Sequence, residues 1–348
     1  MEISAGKLRA LRRLADDDGR FKMIAVDQRP PMLKALAGKF APLRPSYADL
    51  AAVKKTLAGT LLPHGSALLI DPDYGFTAAE PVIPPGKGLL VTLEDFDFDE
   101  TPAGRKSRVL QGWSVEKIKR MGADGVKLLL WYRPDAAADV LEHQRHLVRE
   151  VGDACRAYDL PFLLELLVYP FKGSAGHNTD YGEHGEKYPD LVLQSLRDFA
   201  SHEFGVDIYK IESPILTKEL PDPTDDGPAT RAAQGKFDEI TRIIGKPWVM
   251  LSAGASMEVF RRVLGFAYRA GANGYLAGRA IWWPSFECYP DIAAMTSRLQ
   301  AEGLGYMHEI NALTAAAARP WTEAPDLGGN VAVAAAGHAF PTAYPGFA

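Results

Sequence analysis

Three apolar segments of the chain have the composition of buried β-strands, yet each carries a charged residue in its interior. They are residues 125–132 with Lys127, residues 161–169 with Glu165, and residues 207–214 with Lys210. Strands of a parallel sheet that is covered on both faces are almost entirely apolar, and their side chains alternate between the faces. If the three charges point to the same side, they converge inside one closed sheet. A closed parallel barrel therefore accommodates this chain best.

Strand and helix signals alternate along the rest of the sequence. Five more strands are predicted at residues 23–28, 67–71, 89–93, 247–252 and 274–277. Helical periodicity marks residues 47–62, 115–121, 136–158, 189–201, 231–244 and 257–270. Eight strands that are mostly separated by helices predict an α/β fold of the (β/α)8 TIM-barrel type, which takes roughly 250 residues plus insertions. An open, doubly wound parallel sheet is the structural alternative.

Two segments depart from a minimal barrel. Residues 172–187, after the fifth strand, are rich in Gly, His, Asn and Asp. A loop at this position lies on the catalytic face, where it could close over a ligand as a lid. From residue 319 to residue 348 the chain becomes rich in Pro, Gly and Ala. We expect one barrel domain over residues 1–318 and a tail that is either loosely packed or an arm between subunits.

The composition limits the partners that the chain can have. Its 348 residues carry a net charge of -5, which argues against a nucleic-acid-binding surface. Two cysteines, Cys155 and Cys288, are too few for a disulfide framework and fit a reducing compartment. Residues 1–13 contain no apolar signal-peptide core, and no apolar run reaches the length of a membrane span. The sequence predicts a soluble cytoplasmic protein with no nucleic-acid or membrane partner.

Lys210 admits two interpretations. An ammonium group in an apolar strand is costly, and a buried lysine that is kept neutral is a nucleophile that forms a Schiff base with a carbonyl compound. Alternatively, Glu212 or another carboxylate holds Lys210 as a structural ion pair. The recurrence of the pattern at Lys127 and Glu165 favours a catalytic role, because three such strands in one chain are hard to explain as accidents of packing.

Polar residues collect where the first two strands end. Asp27 and Gln28 follow the first strand and can hydrogen-bond sugar hydroxyls, although Asp27 could instead cap a turn. Residues 71–75, Asp-Pro-Asp-Tyr-Gly, follow the second strand, and a turn role is as well supported there as a functional one. Since the carboxyl ends of barrel strands form the catalytic face, we expect Asp27 and Gln28 to bind substrate.

The ends of strands seven and eight carry small residues. Ser252 and Gly254 follow strand seven, and Gly278 and Arg279 follow strand eight. Small residues let an oxyanion approach the backbone N–H groups of a helix N-terminus, and an arginine adds a bidentate donor. These two loops are the common phosphate site of the barrel fold. The sequence therefore predicts a site for a phosphate or a similar oxyanion.

A metal site is not expected. His143 and His146 lie in a helical segment rich in arginine and glutamate, where solvated side chains are the usual finding. His177 and His184 lie in the 172–187 loop without the spacing of known metal ligands. We expect neither a metal nor another cofactor.

Seven segments occur together in an order and spacing that is jointly specific: residues 25–29, 69–75, 122–127, 162–165, 209–214, 251–254 and 277–280. Together they resemble the class I tagatose-1,6-bisphosphate aldolase family, which also includes the sulfofructose-phosphate aldolases. The resemblance runs from about residue 7 to about residue 313. The 172–187 loop and the tail depart from the family pattern, which leaves the distal group of the substrate open.

The resemblance implies a metal-independent aldolase that works through an imine. It assigns the Schiff-base lysine to Lys210, acid–base catalysis to Glu165 and a second lysine to Lys127. Its substrate-binding positions fall on Asp27 and Gln28 for hydroxyl groups, and on Ser252, Gly254, Gly278 and Arg279 for a phosphate. The implied reaction cleaves a phosphorylated ketose, such as tagatose 1,6-bisphosphate, into dihydroxyacetone phosphate and glyceraldehyde 3-phosphate.

Two alternatives stay open. Sulfofructose 1-phosphate could replace the bisphosphate and give dihydroxyacetone phosphate and sulfolactaldehyde, because sulfonate and phosphate are both tetrahedral oxyanions. A non-catalytic barrel that only binds sugar phosphates is the third hypothesis, although binding alone needs no lysine inside a strand. The expected partner is a small phosphorylated ketose, and we expect a homo-oligomer.

Overall fold

The strands close into the barrel that their alternation with helices predicts. The computed structural model describes residues 1–41, 44–179 and 182–346. Within these residues, parallel strands follow one another around the barrel in chain order, and the last pairs with the first. They are β1 (Phe21–Ala25), β2 (Ala67–Ile70), β3 (Gly88–Thr92), β4 (Gly125–Trp131), β5 (Phe162–Leu167), β6 (Ile208–Ile211), β7 (Trp248–Met250) and β8 (Gly274–Ala277). The (β/α)8 prediction is confirmed, and the open sheet is excluded.

Helices lie between the strands and near both ends of the chain. They are α1 (Ala5–Leu14), α2 (Pro30–Phe40), α3 (Tyr47–Leu61), α4 (Phe76–Ala79), α5 (Val115–Arg120), α6 (Ala138–Ala157), α7 (Pro189–Phe199), α8 (Pro228–Ile244), α9 (Met257–Arg269), α10 (Arg279–Phe286), α11 (Ile292–Arg298), α12 (Leu304–Ala317) and α13 (Phe340–Ala343). The helices predicted from periodicity correspond to α3 and α5–α9. In the described part of the chain, no helix is long and apolar enough to cross a membrane.

Shorter elements decorate the barrel. A hairpin of Asp99–Thr101 and Gly104–Lys106 follows β3, and Glu2–Ile3 pairs in parallel with Ala332–Val333. Single helical turns occupy Leu62–His64, Glu80–Val82, His202–Phe204, Thr217–Glu219, Leu299–Gly303 and Trp321–Glu323. The hairpin was not predicted. It stands at the carboxyl end of β3, so it belongs to the catalytic face of the barrel.

The longest helix shows why periodicity was a reliable signal. The buried side chains of α6 include Val140, Leu147, Val148, Val151 and Cys155. These positions recur at helical spacing and form one apolar stripe. Leu147, Val148, Val151 and Cys155 belong to the large core that surrounds the barrel strands, so the helix is held by packing of this stripe more than by its intrinsic propensity.

Two strands are shorter at their carboxyl ends than the sequence predicted. β1 ends at Ala25 and β7 at Met250, so Asp27, Gln28 and Ser252 lie in loops beyond the strands. At β1 the reason is a buried lysine. This residue is Lys54 of α3. Its Nζ atom donates to the carbonyls of residues 26 and 28 at 2.6 Å and 2.9 Å, in place of strand hydrogen bonds.

The tail covers the amino end of the barrel. Trp321, Ala324 and Leu327 are buried in an apolar cluster with side chains of α1 and β1. The backbone N–H of Trp321 donates to the carbonyl of Gly19 at 2.8 Å. This part of the tail is therefore packed against its own barrel and is not a loosely attached segment. Residues 347 and 348 lie outside the described part.

Candidate active site

Side-chain alternation places the three charged strand residues on the interior face. Lys127 of β4, Glu165 of β5 and Lys210 of β6 have exposed fractions of 1%, 5% and 4%. The parallel register sets Glu165 directly beside Lys210. All three side chains line one cavity, so the structure brings together the residues that the sequence placed in a common interior.

Glu165 lies between the two lysines. Its Oε2 atom is 2.9 Å from Lys210 Nζ and 3.0 Å from Lys127 Nζ. Because one carboxylate oxygen contacts both amino groups, a proton can pass between Glu165 and Lys210 without any rearrangement of the strands. The carboxylate partner of Lys210 is thus Glu165. Glu212, which the sequence also offered, accepts instead from the backbone N–H of Val168 at 2.8 Å.

Lys127 is held by three carboxylates. Its Nζ atom is 3.0 Å from Asp27 Oδ2 and 2.6 Å from Glu94 Oε1, in addition to the contact with Glu165. Burial alone would lower the pKa of Lys127, but its carboxylate partners raise that pKa well above the usual value. A lysine that stays protonated has no lone pair for attack on a carbonyl carbon. This leaves Lys210 as the candidate nucleophile.

Glu94 is a cavity residue that the sequence analysis missed. It lies just beyond β3, on the inward face that Leu90 and Thr92 share. Besides its contact with Lys127, its Oε2 atom accepts from the backbone N–H of Leu129 at 3.1 Å. The available signal was the run Leu-Val-Thr-Leu-Glu, in which the alternation of β3 continues past the strand and brings a carboxylate to the interior.

The end of β1 presents acceptors to the cavity. Asp27 binds Lys127 through Oδ2, so it does not cap a turn. Burial opposes ionisation of Asp27, but Lys127 and Lys210 hold its pKa well below the usual range. Its Oδ1 atom and the Oε1 atom of Gln28 are buried without a donor from the described residues. Buried polar atoms normally have partners, so these two oxygens are suited to accept from substrate hydroxyls.

The motif at residues 71–75 has both of the roles that the sequence left open. Asp71 Oδ2 accepts from the backbone N–H of Tyr74 at 2.8 Å, which closes a turn, and Asp71 Oδ1 binds the buried Lys54. Asp73 Oδ2 lies 2.7 Å from Nη1 of Arg29, which lines the cavity. The motif therefore fixes both the backbone and one side chain at the end of β1.

The ends of β7 and β8 form the part of the cavity wall next to the end of β1. Ser252, Gly278 and Arg279 line it. Gly254 lies against Arg279, because a Cβ atom on Gly254 would be 3.2 Å from Arg279 Nη1. A Cβ atom on Gly278 would be 2.2 Å from the carbonyl oxygen of Ala25, so only glycine fits there. The four residues predicted to form an oxyanion site are thus neighbours at the N-terminus of α10.

The cavity opens at the carboxyl end of the strands. Gly182 of the 172–187 loop lines it, so this loop borders the mouth as predicted; Asp180 and Tyr181 lie outside the described residues. Whether the loop acts as a lid stays a prediction.

The histidines lie outside this centre. His143 and His146 belong to α6, and His177 and His184 to the 172–187 loop; none of them lines the cavity. Among the described residues, no group of three or more His, Cys, Asp and Glu side chains is arranged to hold a metal ion. Where three carboxylates do converge, they surround the ammonium group of Lys127.

Comparisons with known proteins show the family to which the chain belongs. A sequence model of the DeoC/LacD family aldolases matches residues 21–283, which contain β1 to β8. Tagatose 1,6-diphosphate aldolase 1 of Streptococcus mutans is 32% identical over 330 residues, which cover 93% of this chain and 100% of the relative. Tagatose 1,6-diphosphate aldolase of Lactococcus lactis is 31% identical over 329 residues, covering 93% and 99%.

Solved structures share the fold at low sequence identity. The fructose-bisphosphate aldolase of Plasmodium falciparum superposes with a TM-score of 0.64 at 13% identity, over 92% of this chain and 98% of the other. A Schiff-base-forming fructose-1,6-bisphosphate aldolase superposes with a TM-score of 0.54 at 16% identity, over 88% and 99%. The protein is an aldolase, a carbon–carbon lyase, as the sequence predicted. Within that class, the chain belongs to the DeoC/LacD family.

Proposed function

We propose that the protein cleaves a ketose 1,6-bisphosphate, such as tagatose 1,6-bisphosphate, through an imine on Lys210. The products would be dihydroxyacetone phosphate and glyceraldehyde 3-phosphate. The observation that carries this proposal is the 2.9 Å contact between Lys210 Nζ and Glu165 Oε2 inside a largely apolar barrel. Imine chemistry requires an amine and an acid–base group within hydrogen-bond reach. The two relatives, both tagatose 1,6-diphosphate aldolases, support the substrate class.

Imine formation uses both members of this pair. Neutral Lys210 attacks the C2 carbonyl carbon of the ketose and forms a carbinolamine. Glu165, as the acid, gives a proton to the departing hydroxyl group, and water leaves. The protonated imine that remains is an electron sink at C2. Lys127 keeps its positive charge beside Glu165 throughout this step.

Bond cleavage then needs a base at the C4 hydroxyl. The Glu165 carboxylate takes the proton of that hydroxyl, the C3–C4 bond breaks, and its electrons pass into the imine to give an enamine. The aldehyde fragment leaves. The enamine takes up a proton at C3, and water hydrolyses the resulting imine to release dihydroxyacetone phosphate and free Lys210. Atoms and charges balance over the cycle without any cofactor.

The C1 phosphate is proposed to bind between β7 and β8. C1 is bonded to the imine carbon, so its phosphate must lie within a few bonds of Lys210. β7 is the neighbour of β6 in the barrel, and β8 follows. Arg279 and the backbone near Ser252 and Gly254 are suited to bind it there, as a guanidinium group and helix N-terminal N–H groups bind phosphates.

The second candidate substrate is sulfofructose 1-phosphate, which would give sulfolactaldehyde in place of glyceraldehyde 3-phosphate. The residues proposed for C1, C2 and C4 are the same for both substrates, so only the distal part of the cavity can discriminate between them. A retro-aldol assay on a panel of ketose phosphates, with coupled detection of dihydroxyacetone phosphate, ranks the candidates. Failure to cleave any of them would favour the non-catalytic binding barrel.

Borohydride trapping tests the imine directly. Reduction in the presence of dihydroxyacetone phosphate should add a stable mass to the peptide that contains Lys210. Activity should persist in EDTA. Lys210→Ala should lose the adduct and lower kcat/KM by about 10⁴-fold or more, because the covalent route is closed.

The second buried lysine supplies the internal control. Lys127 and Lys210 contact the same carboxylate oxygen of Glu165, so a ligand bound in the cavity is within reach of both amino groups. An adduct on the Lys127 peptide, or near-native turnover by Lys210→Ala, would contradict the assignment.

We further propose a cytoplasmic location and a homo-oligomeric state. Cys155 and Cys288 are free thiols, and free thiols persist in reducing compartments. Cell fractionation tests the location. Sedimentation equilibrium of the purified protein tests the oligomeric state, and a monomer would contradict that part of the proposal.

A further inference from the structure

Glu212 is a buried carboxylate of the cavity that the mechanism above does not use. It follows β6 two residues after Lys210 and shares its inward face. Two residues of a strand advance by about 6.6 Å, so Glu212 lies one layer nearer the mouth than the candidate nucleophile. Its side chain lines the cavity, and its exposed fraction is 4%.

One oxygen of Glu212 is held by the protein, and the other faces a lysine at longer range. Oε1 accepts from the backbone N–H of Val168 at 2.8 Å, whereas Oε2 lies 3.7 Å from Lys187 Nζ, beyond hydrogen-bond distance. Lys187 is bound to Glu183. Glu183 in turn accepts from the N–H and the hydroxyl of Thr217 at 2.8 Å and 2.7 Å. The charge of Lys187 is therefore already balanced without Glu212.

The surroundings of Glu212 favour its neutral form. Burial, with smaller contributions from Glu183 and Glu165, raises the pKa of Glu212 to about 7 against the opposing effect of Lys187. A protonated carboxylic acid can donate a hydrogen bond, which a carboxylate cannot. Near neutral pH, Glu212 thus changes between a donor and a negative charge.

Two further titratable groups lie close to this carboxylate. Lys210 shares its strand face but is bonded to Glu165. His184 contacts Val168, the residue that holds Glu212 Oε1, through a 3.0 Å contact between Nε2 and the carbonyl oxygen. Burial lowers the pKa of His184, so this imidazole is neutral near pH 7 and adds no charge to the pair.

The distal half of the substrate must pass this residue. In the proposed reaction Lys210 holds C2 and Glu165 reaches the C4 hydroxyl, so C5 and C6 extend from Glu165 toward the mouth. Val168 and Gly182 line that part of the cavity together with Glu212. Arg29, which follows β1, also lines the cavity, but its guanidinium group is already bound to Asp73 at 2.7 Å.

We propose that Glu212 is a specificity residue for the distal group of the ketose. As a neutral acid it donates a hydrogen bond to a distal oxyanion, and once ionised it repels that oxyanion. This inference rests on the proposed function, because only a substrate that is bound through Lys210 runs its distal end past Glu212. It assigns discrimination between anionic and neutral aldehydes to one titrating side chain.

The test measures aldol synthesis with saturating dihydroxyacetone phosphate and two aldehydes, sulfolactaldehyde and glyceraldehyde. A sulfonate keeps one charge across the range, whereas a phosphate monoester itself titrates near pH 6. The ratio of kcat/KM for the anionic over the neutral aldehyde should fall about tenfold from about pH 6 to about pH 8, as Glu212 ionises. Glu212→Gln keeps a donor without a charge, so its ratio should stay at the value that the wild type has at low pH.

Arg29→Gln is the comparison variant, at the end of β1. It should lower activity toward both aldehydes and leave the pH dependence of their ratio as in the wild type. A wild-type ratio that is constant with pH would overturn the proposal, as would a Glu212→Gln profile that matches the wild type. A loss of discrimination in Arg29→Gln would place the distal group at the end of β1, which also overturns the proposal.

Failure of the proposed function gives a different result. Borohydride trapping of dihydroxyacetone phosphate on the wild type reports on Lys210 alone. If no adduct forms, the imine reaction is wrong and the inference about Glu212 is wrong with it. If the adduct forms and the ratio still does not change with pH, only the inference about Glu212 is wrong.

Discussion

The amino and carboxyl halves of the barrel interior are built from opposite chemistry. In the amino half, Phe21, Leu163, Ile208 and Val249 fill the space between the strands, and Trp321 of the tail packs against the same cluster. One layer further along the same strands, the interior is charged. The strands are continuous across both halves, so a change of side chain at every second position is enough to convert a packed core into a cavity.

The contrast teaches how the charged layer is tolerated. Burying an ion is costly unless it is paired and hydrogen-bonded. Lys127 contacts three carboxylates, and Lys210 shares one of them. Apolar burial in the other half supplies the stability that this layer does not. We therefore expect substitutions in the amino half to lower stability and leave the chemistry intact. Substitutions in the carboxyl half should act mainly on the chemistry.

The largest expected effect is on the chemistry. Glu165→Gln keeps the shape of the side chain but removes the proton carrier between Lys210 and the substrate, so kcat should fall by about 10² to 10⁴. Imine trapping with dihydroxyacetone phosphate should remain detectable. Steady-state kinetics measure the effect. A loss confined to KM would instead assign Glu165 to ground-state binding.

The matching change in the amino half is Trp321→Ala. It removes a large buried side chain, so the free energy of unfolding should fall by about 3 to 5 kcal/mol. At a temperature where the variant stays folded, kcat should equal that of the wild type. Tyr188, which is 59% exposed, provides the control, because Tyr188→Ala should change stability by no more than about 0.5 kcal/mol. A drop in kcat without loss of stability in Trp321→Ala would contradict this division between the two halves of the barrel.

The same contrast explains what the sequence could and could not predict. The strands and α6 are set by local periodicity, which a single sequence displays. The convergence of Lys127, Glu165 and Lys210 was also predictable, because charges are rare inside buried strands. The hairpin after β3 was not, since its residues show neither strong alternation nor a Gly-rich turn signal.

The missed site residues have a physical reason in common. Glu94 acts beyond the end of its strand, where polar residues are expected in any case. Lys54 and Asp71 form a buried pair between a helix and a loop, and such a partner is fixed by tertiary packing. The roles of the tail at Trp321 and of Arg29 likewise depend on contacts between distant parts of the chain. Sequence pattern reports the face of an element and not the partner across the interior.

A change at the β7–β8 wall sharpens the comparison within the carboxyl half. Arg279→Ala should weaken dihydroxyacetone phosphate and every ketose 1-phosphate alike, by about 2 to 4 kcal/mol, because a charge-assisted contact in a partly dry site is lost. Isothermal titration calorimetry measures this affinity in the inactive Lys210→Ala protein, with and without Arg279→Ala. Arg108→Ala, at a position just after the hairpin that does not line the cavity, should leave this affinity unchanged. If Arg279→Ala changes only the choice among distal groups, the substrate binds in the reverse orientation.

The smallest expected effect is the dependence of stability on pH that Glu212 introduces. Its pKa in the folded protein is about 7, raised from the usual 4.5 by burial. The folded state therefore binds the proton more tightly than the unfolded state, and stability is highest below pH 4.5 and falls as pH rises toward 7. Above that window both states are ionised and this contribution is constant.

Glu212→Gln removes the titration and keeps the shape. Relative to the wild type, its free energy of unfolding should therefore rise with pH across the same window, by on the order of 1 to 3 kcal/mol in total. Urea unfolding at several pH values measures the difference. Parallel curves for the two proteins would mean that the pKa of Glu212 is the same in the folded and unfolded states, which would contradict a neutral acid at the mouth of the cavity.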